Sequence, residues 1–304
     1  MYAIDAKQFG GSENEFVTAF ALMGRSGKLT KLNRESARGT ASCYLDVDRT
    51  GKVVLVANYS SGNVAALPVQ KDGSLGAASS FVQHSGSGDD PKSQKDPRAH
   101  SIVASPDNRF AMAADLGLDR IFIYALNSDT AELAPNSAQP FVALPPGSGP
   151  RHLVFHPNGN RLYVINELKN TVTYFDYASK TGTLTHRQTI STLPEDFSGK
   201  SHTADLKITP DGNFLYGTNR GHDSIAIFRI QDDGHLSLIK IEPSLGKGPQ
   251  NLLISPDGQW LFCANMPGNN VIVFAINPKT GSLKATVAPV SIPMPSCIRW
   301  LNVP

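Results

Sequence analysis

The sequence contains a pattern that recurs along the chain, and four ionisable side chains occupy two positions of this repeat, two side chains at each position. They are His100, Arg151, Glu167 and Arg220. Arginine forms strong, often bidentate hydrogen bonds with carboxylates and phosphates, so a place where two arginines converge suits an anionic ligand. Converging titratable groups are also typical of functional sites. The four residues therefore predict a site for an anionic ligand, with Arg151 and Glu167 as the charges best suited to chemistry.

A purely structural explanation competes with this one. Taken singly, an arginine or a glutamate at the edge of a repeat is better explained by a salt bridge between neighbouring repeats. Positions that are only structural tend to keep one residue type from copy to copy, whereas these positions hold unlike residues. The convergence of four ionisable groups is what favours a ligand site.

The pattern that positions these residues is a repeat with a tight turn at its centre. The turn is found, intact or altered, at Arg49-Thr50-Gly51, Ser105-Pro106-Asp107-Asn108, Pro157-Asn158-Gly159, Thr209-Pro210-Asp211-Gly212 and Ser255-Pro256-Asp257-Gly258. Seven residues after each glycine position stands a small polar residue: Asn58, Asp115, Asn166, Asn219 and Asn265. An apolar alternation follows in each copy, which is typical of a β-strand.

Each unit has about 50 residues and three or four short strands without helical periodicity, as in a blade of a β-propeller. A β-solenoid is a weaker alternative because its units are shorter and more regular, and a β-sandwich does not predict a repeat. The sequence therefore predicts an all-β propeller that forms a single domain over residues 1–304.

The ends of the chain are unequal. Five full repeats are preceded by a copy without its first strand, and Ser296–Leu301 resembles a lone first strand at the end. The expectation is that about one N-terminal blade is missing from this sequence. Between two repeats, residues 84–99 form a polar, Gly- and Pro-rich insertion. Such a loop is predicted either to cover the mouth of the central channel or to be a mobile surface excursion.

The hairpin at the start of each unit brings the candidate residues to one rim. The start of the first strand and the end of the second lie on the same face of the blade. Six residues before the turn proline position the copies carry Cys43, His100, Arg151, Ala204 and Gln250. Eight after the glycine position they carry Tyr59, Leu116, Glu167, Arg220 and Met266. His100, Arg151, Glu167 and Arg220 are thus expected to meet.

No other motif indicates a metal or a cofactor. His152 and His156 lie four residues apart on a strand, roughly 13 Å, which is too far for one zinc ion. Ser201, His202 and Asp205 lie too close together in the sequence to form a catalytic triad. No G-x-S-x-G, G-x-G-x-x-G or Walker sequence occurs. The sequence predicts no metal and no cofactor.

Composition, net charge and cysteine content exclude some classes of binding partner. The chain is 40% hydrophobic and 18% charged, with a net charge of +2, so neither disorder nor a nucleic-acid partner is expected. No apolar run approaches 18 residues, so no membrane partner is expected. Three scattered cysteines and the lack of a visible signal peptide favour a cytoplasmic protein, although an export signal could have been lost with the missing N-terminus. The sequence does not predict the oligomeric state.

Several segments together resemble one known family. GPRHLVFHPNG, YVINEL, DLGLDRIFIY, TISTLPEDFSG and YGTNRGHDSIAIF are similar to the lactonase family of seven-bladed propellers, and the similarity extends from Tyr2 to Leu301. That family includes bacterial 6-phosphogluconolactonases and fungal carboxymuconate lactonizing enzymes. Its proposed active-site residues fall on His100, Arg151, Glu167 and Arg220, the same four that the rim argument selects.

The resemblance implies a cofactor-free hydrolase of an anionic sugar lactone, in particular 6-phosphogluconolactone, an intermediate of the pentose phosphate pathway. Arg151 and Arg220 would hold the phosphate and the developing oxyanion, with His152 and Asn166 as further substrate-binding residues. Glu167 or His100 would activate water, and the other would protonate the leaving alkoxide. A carboxymuconate-type cycloisomerase and a non-enzymatic scaffold remain as alternatives.

Two features depart from the family pattern. The family usually carries His-x-His where this chain has Arg98-Ala99-His100, so one imidazole is missing there. The family also begins about one blade earlier, with a strand that pairs with the segment equivalent to Ser296–Leu301.

Overall fold

The computed structural model describes residues 1–5, 15–286 and 288–301, with the backbone only at Asp5 and Arg25. These residues form six antiparallel sheets. The first sheet has three strands, β1 (Tyr2–Asp5), β2 (Phe16–Met23) and β3 (Lys28–Ser36), with a short 3-10 helix at Gly24–Ser26. The second has four, β4 (Ser42–Val47), β5 (Val53–Asn58), β6 (Asn63–Pro68) and β7 (Ser80–Gln83).

The third sheet has five strands, of which β11 and β12 both pair with β10: β8 (Ala99–Ala104), β9 (Phe110–Asp115), β10 (Arg120–Asn127), β11 (Glu132–Pro135) and β12 (Phe141–Ala143). The fourth has four, β13 (Pro150–Phe155), β14 (Arg161–Asn166), β15 (Thr171–Ala178) and β16 (Thr183–Ser191).

The fifth sheet also has four strands: β17 (His202–Ile208), β18 (Phe214–Arg220), β19 (Ser224–Ile230) and β20 (Leu236–Pro243). In the sixth, β24 and β25 both pair with β23: β21 (Pro249–Ile254), β22 (Trp260–Asn265), β23 (Asn270–Ile276), β24 (Leu283–Ala285) and β25 (Val290–Ser291). Within each sheet, successive strands pair in chain order, except that β12 pairs with β10 and β25 pairs with β23. This is the up-and-down order of a propeller blade.

The recurring turn residues close the first hairpin of a blade. In the fifth blade the Thr209 hydroxyl donates to Asp211 Oδ1 at 2.5 Å, and the backbone N–H of Phe214 donates to Thr209 Oγ1 at 3.1 Å. Gly212 has a φ of +79°, a conformation that glycine adopts without steric cost. The turn signal in the sequence therefore marks the end of the hairpin that lies farthest from the candidate site residues.

The chain divides into two compact units. One holds residues 1–153 and 178–184 of the described chain, and the other holds residues 154–177 and 185–301. Each contains its own clusters of buried apolar side chains, centred on Leu55 and Ile102 in the first and on Tyr163 and Phe214 in the second. A single domain over residues 1–304 stays a prediction.

The all-β propeller is confirmed, but the predicted blade count is wrong. The described residues form six blades, five with four or five strands and a first one with three, instead of a seven-bladed architecture with one blade missing. Ser296–Leu301 forms no strand, because no described strand pairs with it. Its Ile298 N–H instead donates to the side-chain Oδ1 of Asn251 at 2.8 Å.

The insertion is tied to its own unit by side-chain hydrogen bonds, whereas a loop that covers the channel mouth or moves freely stays a prediction. His84 is 4% exposed and Gln94 is fully buried, and both make side-chain hydrogen bonds. In the part of the chain that the structure describes, no helix is long and apolar enough to cross a membrane. Cys43, Cys263 and Cys297 are free thiols.

Candidate functional site

His100 stands at an irregularity of the β-ladder. The pairing of β8 with β9 shifts register between Ala99 and Ser101, so His100 is the extra residue of a β-bulge. A bulge leaves its extra residue outside the ladder and redirects the side chain, and bulges are common beside active sites. His100 is only 7% exposed, so its imidazole is held in place by packing.

The same irregularity recurs in other blades at the column that the sequence singled out. The register shifts at Cys43 between β4 and β5, at Ala204–Asp205 between β17 and β18, and at Gln250 between β21 and β22. At these four of its five positions, the column of unlike residues is therefore a column of bulges. This explains its variability, because a bulge residue is free of the cross-strand pairing that constrains its neighbours.

Two rings and a thiol surround His100. The ring centroids of Tyr59 and His152 lie 5.3 Å and 5.4 Å from that of His100, both edge to face. Cys43 Sγ is 3.6 Å from His100 Nδ1 and 3.3 Å from its backbone oxygen. His152, from β13, thus supplies a second imidazole beside His100, although the family's His-x-His pattern is absent there.

Arg151 and His152 are neighbours in sequence and in space. Arg151 is 3% exposed and His152 is 8% exposed, and Arg151 Nη1 lies 3.2 Å from His152 Nε2. A guanidinium can only donate, so His152 Nε2 accepts this hydrogen bond and its ring proton is on Nδ1. Tyr44 packs edge to face on His152 at 5.0 Å. His100, Arg151 and His152 therefore form one buried polar group in the first unit.

Glu167 and Arg220 form the second group, in the other unit. Glu167 Oε2 accepts a hydrogen bond from Arg220 Nη2 at 2.9 Å, with side chains 18% and 26% exposed. Arg220 also donates to the backbone oxygens of Thr203 at 2.8 Å and His202 at 3.3 Å, and to Gln250 Oε1 at 3.3 Å. The guanidinium is thus fixed in orientation while part of the pair stays accessible to a ligand.

This ion pair joins neighbouring blades, as the structural explanation anticipated. Glu167 follows β14 in the fourth blade, and Arg220 ends β18 in the fifth. An ion pair of this kind holds two blades together and can also present a preoriented carboxylate and guanidinium to a substrate. The same geometry serves either role.

Asn166 lies in a structural setting. It is fully buried, and its amide donates to Thr171 Oγ1 at 2.9 Å and to Thr173 Oγ1 at 2.8 Å. The equivalent Asn58 and Asn265 donate in the same way, to Asn63 and Asn270 at 2.6 Å and 2.9 Å. Its predicted role in substrate binding stays a prediction.

Sequence reasoning passed over uncharged members of the two columns. Cys43 touches His100, Tyr59 packs on it, and Gln250 accepts from Arg220. All three occupy the two repeat positions that vary in residue type. The sequence therefore indicated them, but only the ionisable residues at these positions were selected as candidates. Among the described residues, no three His, Cys, Asp or Glu side chains are grouped so that they could hold a metal ion.

Comparisons with known proteins identify the family of the chain. The family described as "Lactonase, 7-bladed beta-propeller" matches residues 1–300. A 6-phosphogluconolactonase of Bacillus subtilis is 35% identical over 287 residues, covering 94% of this chain and 80% of the relative. A 6-phosphogluconolactonase of Formosa agariphila is 34% identical over 271 residues, covering 88% of this chain and 76% of the relative.

A solved structure is also similar to this chain over its whole length. The periplasmic gluconolactonase of Pseudomonas aeruginosa superposes with a TM-score of 0.93 at 31% identity, covering all of this chain and 85% of the other. The match extends over nearly the whole sequence and includes the strands that carry His100, Arg151, Glu167 and Arg220. The chain therefore belongs to the lactonase family of β-propellers.

Proposed function

We propose that the protein hydrolyses 6-phosphogluconolactone to 6-phosphogluconate, in the pentose phosphate pathway. The observation that carries the proposal is the pair of polar groups at the strand ends: two imidazoles beside a buried arginine, and a carboxylate on a second arginine. Two relatives with this fold are named 6-phosphogluconolactonase. The substrate is a small anionic sugar lactone, which suits a site with two arginines.

The reaction adds water across the lactone ester. A base takes a proton from water, the resulting hydroxide attacks the carbonyl carbon, and the carbonyl oxygen becomes an oxyanion. The ring C–O bond then breaks, and the ring oxygen leaves as an alkoxide that must be protonated. Glu167 or His100 acts as the base, and the other group returns the proton. No electron transfer or co-reactant is needed.

The arginines stabilise charge at two places. Arg151 and Arg220 hold the phosphate and the oxyanion, because a guanidinium matches both with its planar donors. His152, which accepts from Arg151, orients that guanidinium. The oxyanion gains its charge only during the reaction, so the arginine that meets it lowers the barrier, while the one on the phosphate mainly binds substrate.

Hydrolysis of matched lactones tests the proposal. Initial rates are measured with 6-phosphogluconolactone and with unphosphorylated gluconolactone, and spontaneous ring opening is subtracted from each. We expect a higher kcat/KM for the phosphorylated lactone. Preference for gluconolactone would move the protein toward the activity that names its Pseudomonas relative. Rates equal to spontaneous opening with both substrates would overturn the proposal.

A cytoplasmic location is part of the same proposal, because the pathway's sugar phosphates are found inside the cell. Support comes from the small number of cysteines in the sequence, which is usual for a reducing compartment. The Pseudomonas relative is described as periplasmic. Cell fractionation checks the location, and recovery of the protein outside the cytoplasm would contradict it.

A further inference from the structure

Two buried aspartates that the proposed reaction does not use lie where β9 leads into β10: Asp115 is the last residue of β9, and Asp119 is in the turn. Asp119 is 6% exposed, and its backbone has a φ of +52°, a conformation that aspartate tolerates better than most residues. Its carboxylate accepts two backbone N–H groups, from Gly147 at 2.7 Å and from Gly149 at 2.7 Å. A buried carboxylate with such charge-assisted hydrogen bonds fixes the backbone it contacts.

The segment that Asp119 holds leads directly to Arg151. Gly149 lies two residues before Arg151, and Gly147 and Gly149 both have positive φ values, +73° and +64°. Glycine is conformationally permissive, so this segment needs an external contact to keep one geometry. Asp119 supplies it through the side chain, and its backbone oxygen also accepts from Leu144 N–H at 2.8 Å.

Asp115 makes the corresponding contacts on the His100 side. It is fully buried, and its Oδ1 accepts the backbone N–H of Arg98, two residues before His100, at 2.7 Å. Its Oδ2 lies 2.6 Å from His84 Nδ1, at the start of the insertion. His84 Nε2 in turn lies 2.8 Å from the hydroxyl of Tyr124. One carboxylate therefore ties both ends of the insertion and fixes the entry to β8.

Gln94, in the middle of the insertion, contacts Asp119 and the backbone of Leu116, the residue after Asp115. Its amide nitrogen donates to Asp119 Oδ1 at 2.8 Å and to the backbone oxygen of Leu116 at 2.7 Å. Its own Oε1 accepts from Asp90 N–H at 2.8 Å. The insertion is thus a packed part of the unit that connects the segments before His100 and Arg151.

The same turn position holds the incoming segment in the other unit. Asp223 Oδ1 accepts from Gly248 N–H at 2.8 Å, two residues before Gln250. Asn170 donates to the backbone oxygen of Ser201 at 2.9 Å. Holding the entry to the next first strand is therefore a recurring task of this position. In the Asp119 copy, the residue that is held is an arginine of the proposed site.

We propose that Asp119 and Asp115 are positioning residues that fix Arg151 and His100 for lactone hydrolysis. The proposal rests on the proposed function of the site. Neither carboxylate reaches the reacting atoms; each acts through the backbone segment that it holds. Small displacements of a catalytic group are costly, and a shift of about 1 Å can reduce a rate about 10²-fold.

The test compares Asp119→Asn with a matched change elsewhere. Asparagine keeps the shape and tolerates positive φ, but it turns one acceptor into a donor that faces an N–H group. We expect kcat/KM for 6-phosphogluconolactone, per folded molecule, to fall about 10- to 100-fold. The control is Asp48→Asn, which alters a buried carboxylate that accepts Lys52 N–H at 2.7 Å and Val53 N–H at 2.8 Å in the turn after β4. It should lower the melting temperature and leave kcat/KM within about twofold.

A double-mutant cycle with Arg151→Ala separates positioning from a general loss of structure. If Asp119 acts through Arg151, Asp119→Asn should have less than about a twofold further effect once Arg151 is alanine. If the losses of kcat/KM in the two single variants add up in the double variant, the proposal for Asp119 is overturned. If Asp119→Asn does not fold, Asp119→Gly replaces it in the cycle, because glycine adopts this φ without strain.

Backbone exchange keeps this proposal distinct from the proposed function. A wild-type protein that does not hydrolyse the lactone would contradict the proposed function. The backbone hold is then still tested by hydrogen exchange at Gly147 and Gly149, which should be faster in Asp119→Asn than in wild type and in Asp48→Asn. Unchanged exchange at both glycines would contradict the positioning role.

Discussion

At the scale of single residues, His152 is the group whose contacts the structure adds most clearly to what the sequence predicts. Its Nε2 accepts from Arg151 at 3.2 Å, and its ring packs on that of His100. A sequence cannot show that contact, because it depends on which ring nitrogen faces the guanidinium. Sequence reasoning could predict that His152 belongs to the site, but not that it contacts two other site residues.

Replacement of His152 tests that role. His152→Phe keeps a flat ring for packing but removes the acceptor that orients Arg151. We expect KM for 6-phosphogluconolactone to rise and kcat/KM to fall about 10-fold, since one hydrogen bond to a charged group is lost. The control is His186→Phe, the same change at an exposed histidine. An equal loss of kcat/KM in both variants would contradict the account of His152.

At the scale of structural elements, each blade hairpin has a site end and a turn end. The bulge at the site end of the β8–β9 hairpin places His100, whereas the turn end of the β4–β5 hairpin holds the buried Asp48. The turn signals were readable in sequence because Gly, Asp and Pro have specific backbone preferences there. The bulges were not readable as such, because a bulge is a property of strand pairing; only the variability of the column indicated them.

Asp48 makes the stability of the second blade depend on pH. Burial alone would raise the pKa of this carboxyl, but hydrogen bonds from Thr50, Asn108 and Val53 outweigh it and lower the pKa of Asp48 to about 2. A carboxyl with a depressed pKa in the folded state stabilises the fold above its unfolded pKa, about 4. That stabilisation is lost as the pH falls from about 4 toward 2.

Melting curves of wild type and Asp48→Asn check this dependence. At neutral pH the wild type should melt at the higher temperature, because the variant weakens hydrogen bonds of the buried turn at a cost of about 1–3 kcal/mol. The difference in melting temperature should shrink as the pH is lowered from 4 to 2. A difference that stays constant across this range would mean that the charge of Asp48 does not stabilise the blade.

At the scale of the whole molecule, the repeat in the sequence was sufficient to predict an all-β propeller. Each copy specifies its own blade, since strand alternation and turn residues act locally. The count of blades was harder, because it depends on the ends of the chain. Ser296–Leu301 has the pattern of a first strand, yet a strand also needs a partner to accept its backbone hydrogen bonds, and among the described strands it has none.

The residues of the candidate site could be predicted from the sequence, but the residues that hold them in place could not. His100, Arg151, Glu167 and Arg220 were identified from the columns of the repeat and from the family resemblance. Asp119 and Gln94 were not, because their role depends on contacts between segments that are 25 and 28 residues apart in the chain. Such long-range polar contacts leave no local pattern in a single sequence.

The central claim is that Glu167 takes part in lactone hydrolysis rather than only joining two blades. The measurement is kcat for 6-phosphogluconolactone and melting temperature on the same samples of wild type and Glu167→Gln. Glutamine keeps the shape of the side chain but cannot act as a base. If Glu167 acts as the base, we expect kcat to fall about 10²- to 10⁴-fold with little change in KM. A lower melting temperature with wild-type kcat per folded molecule would contradict it, and Glu167 would then be a structural partner of Arg220.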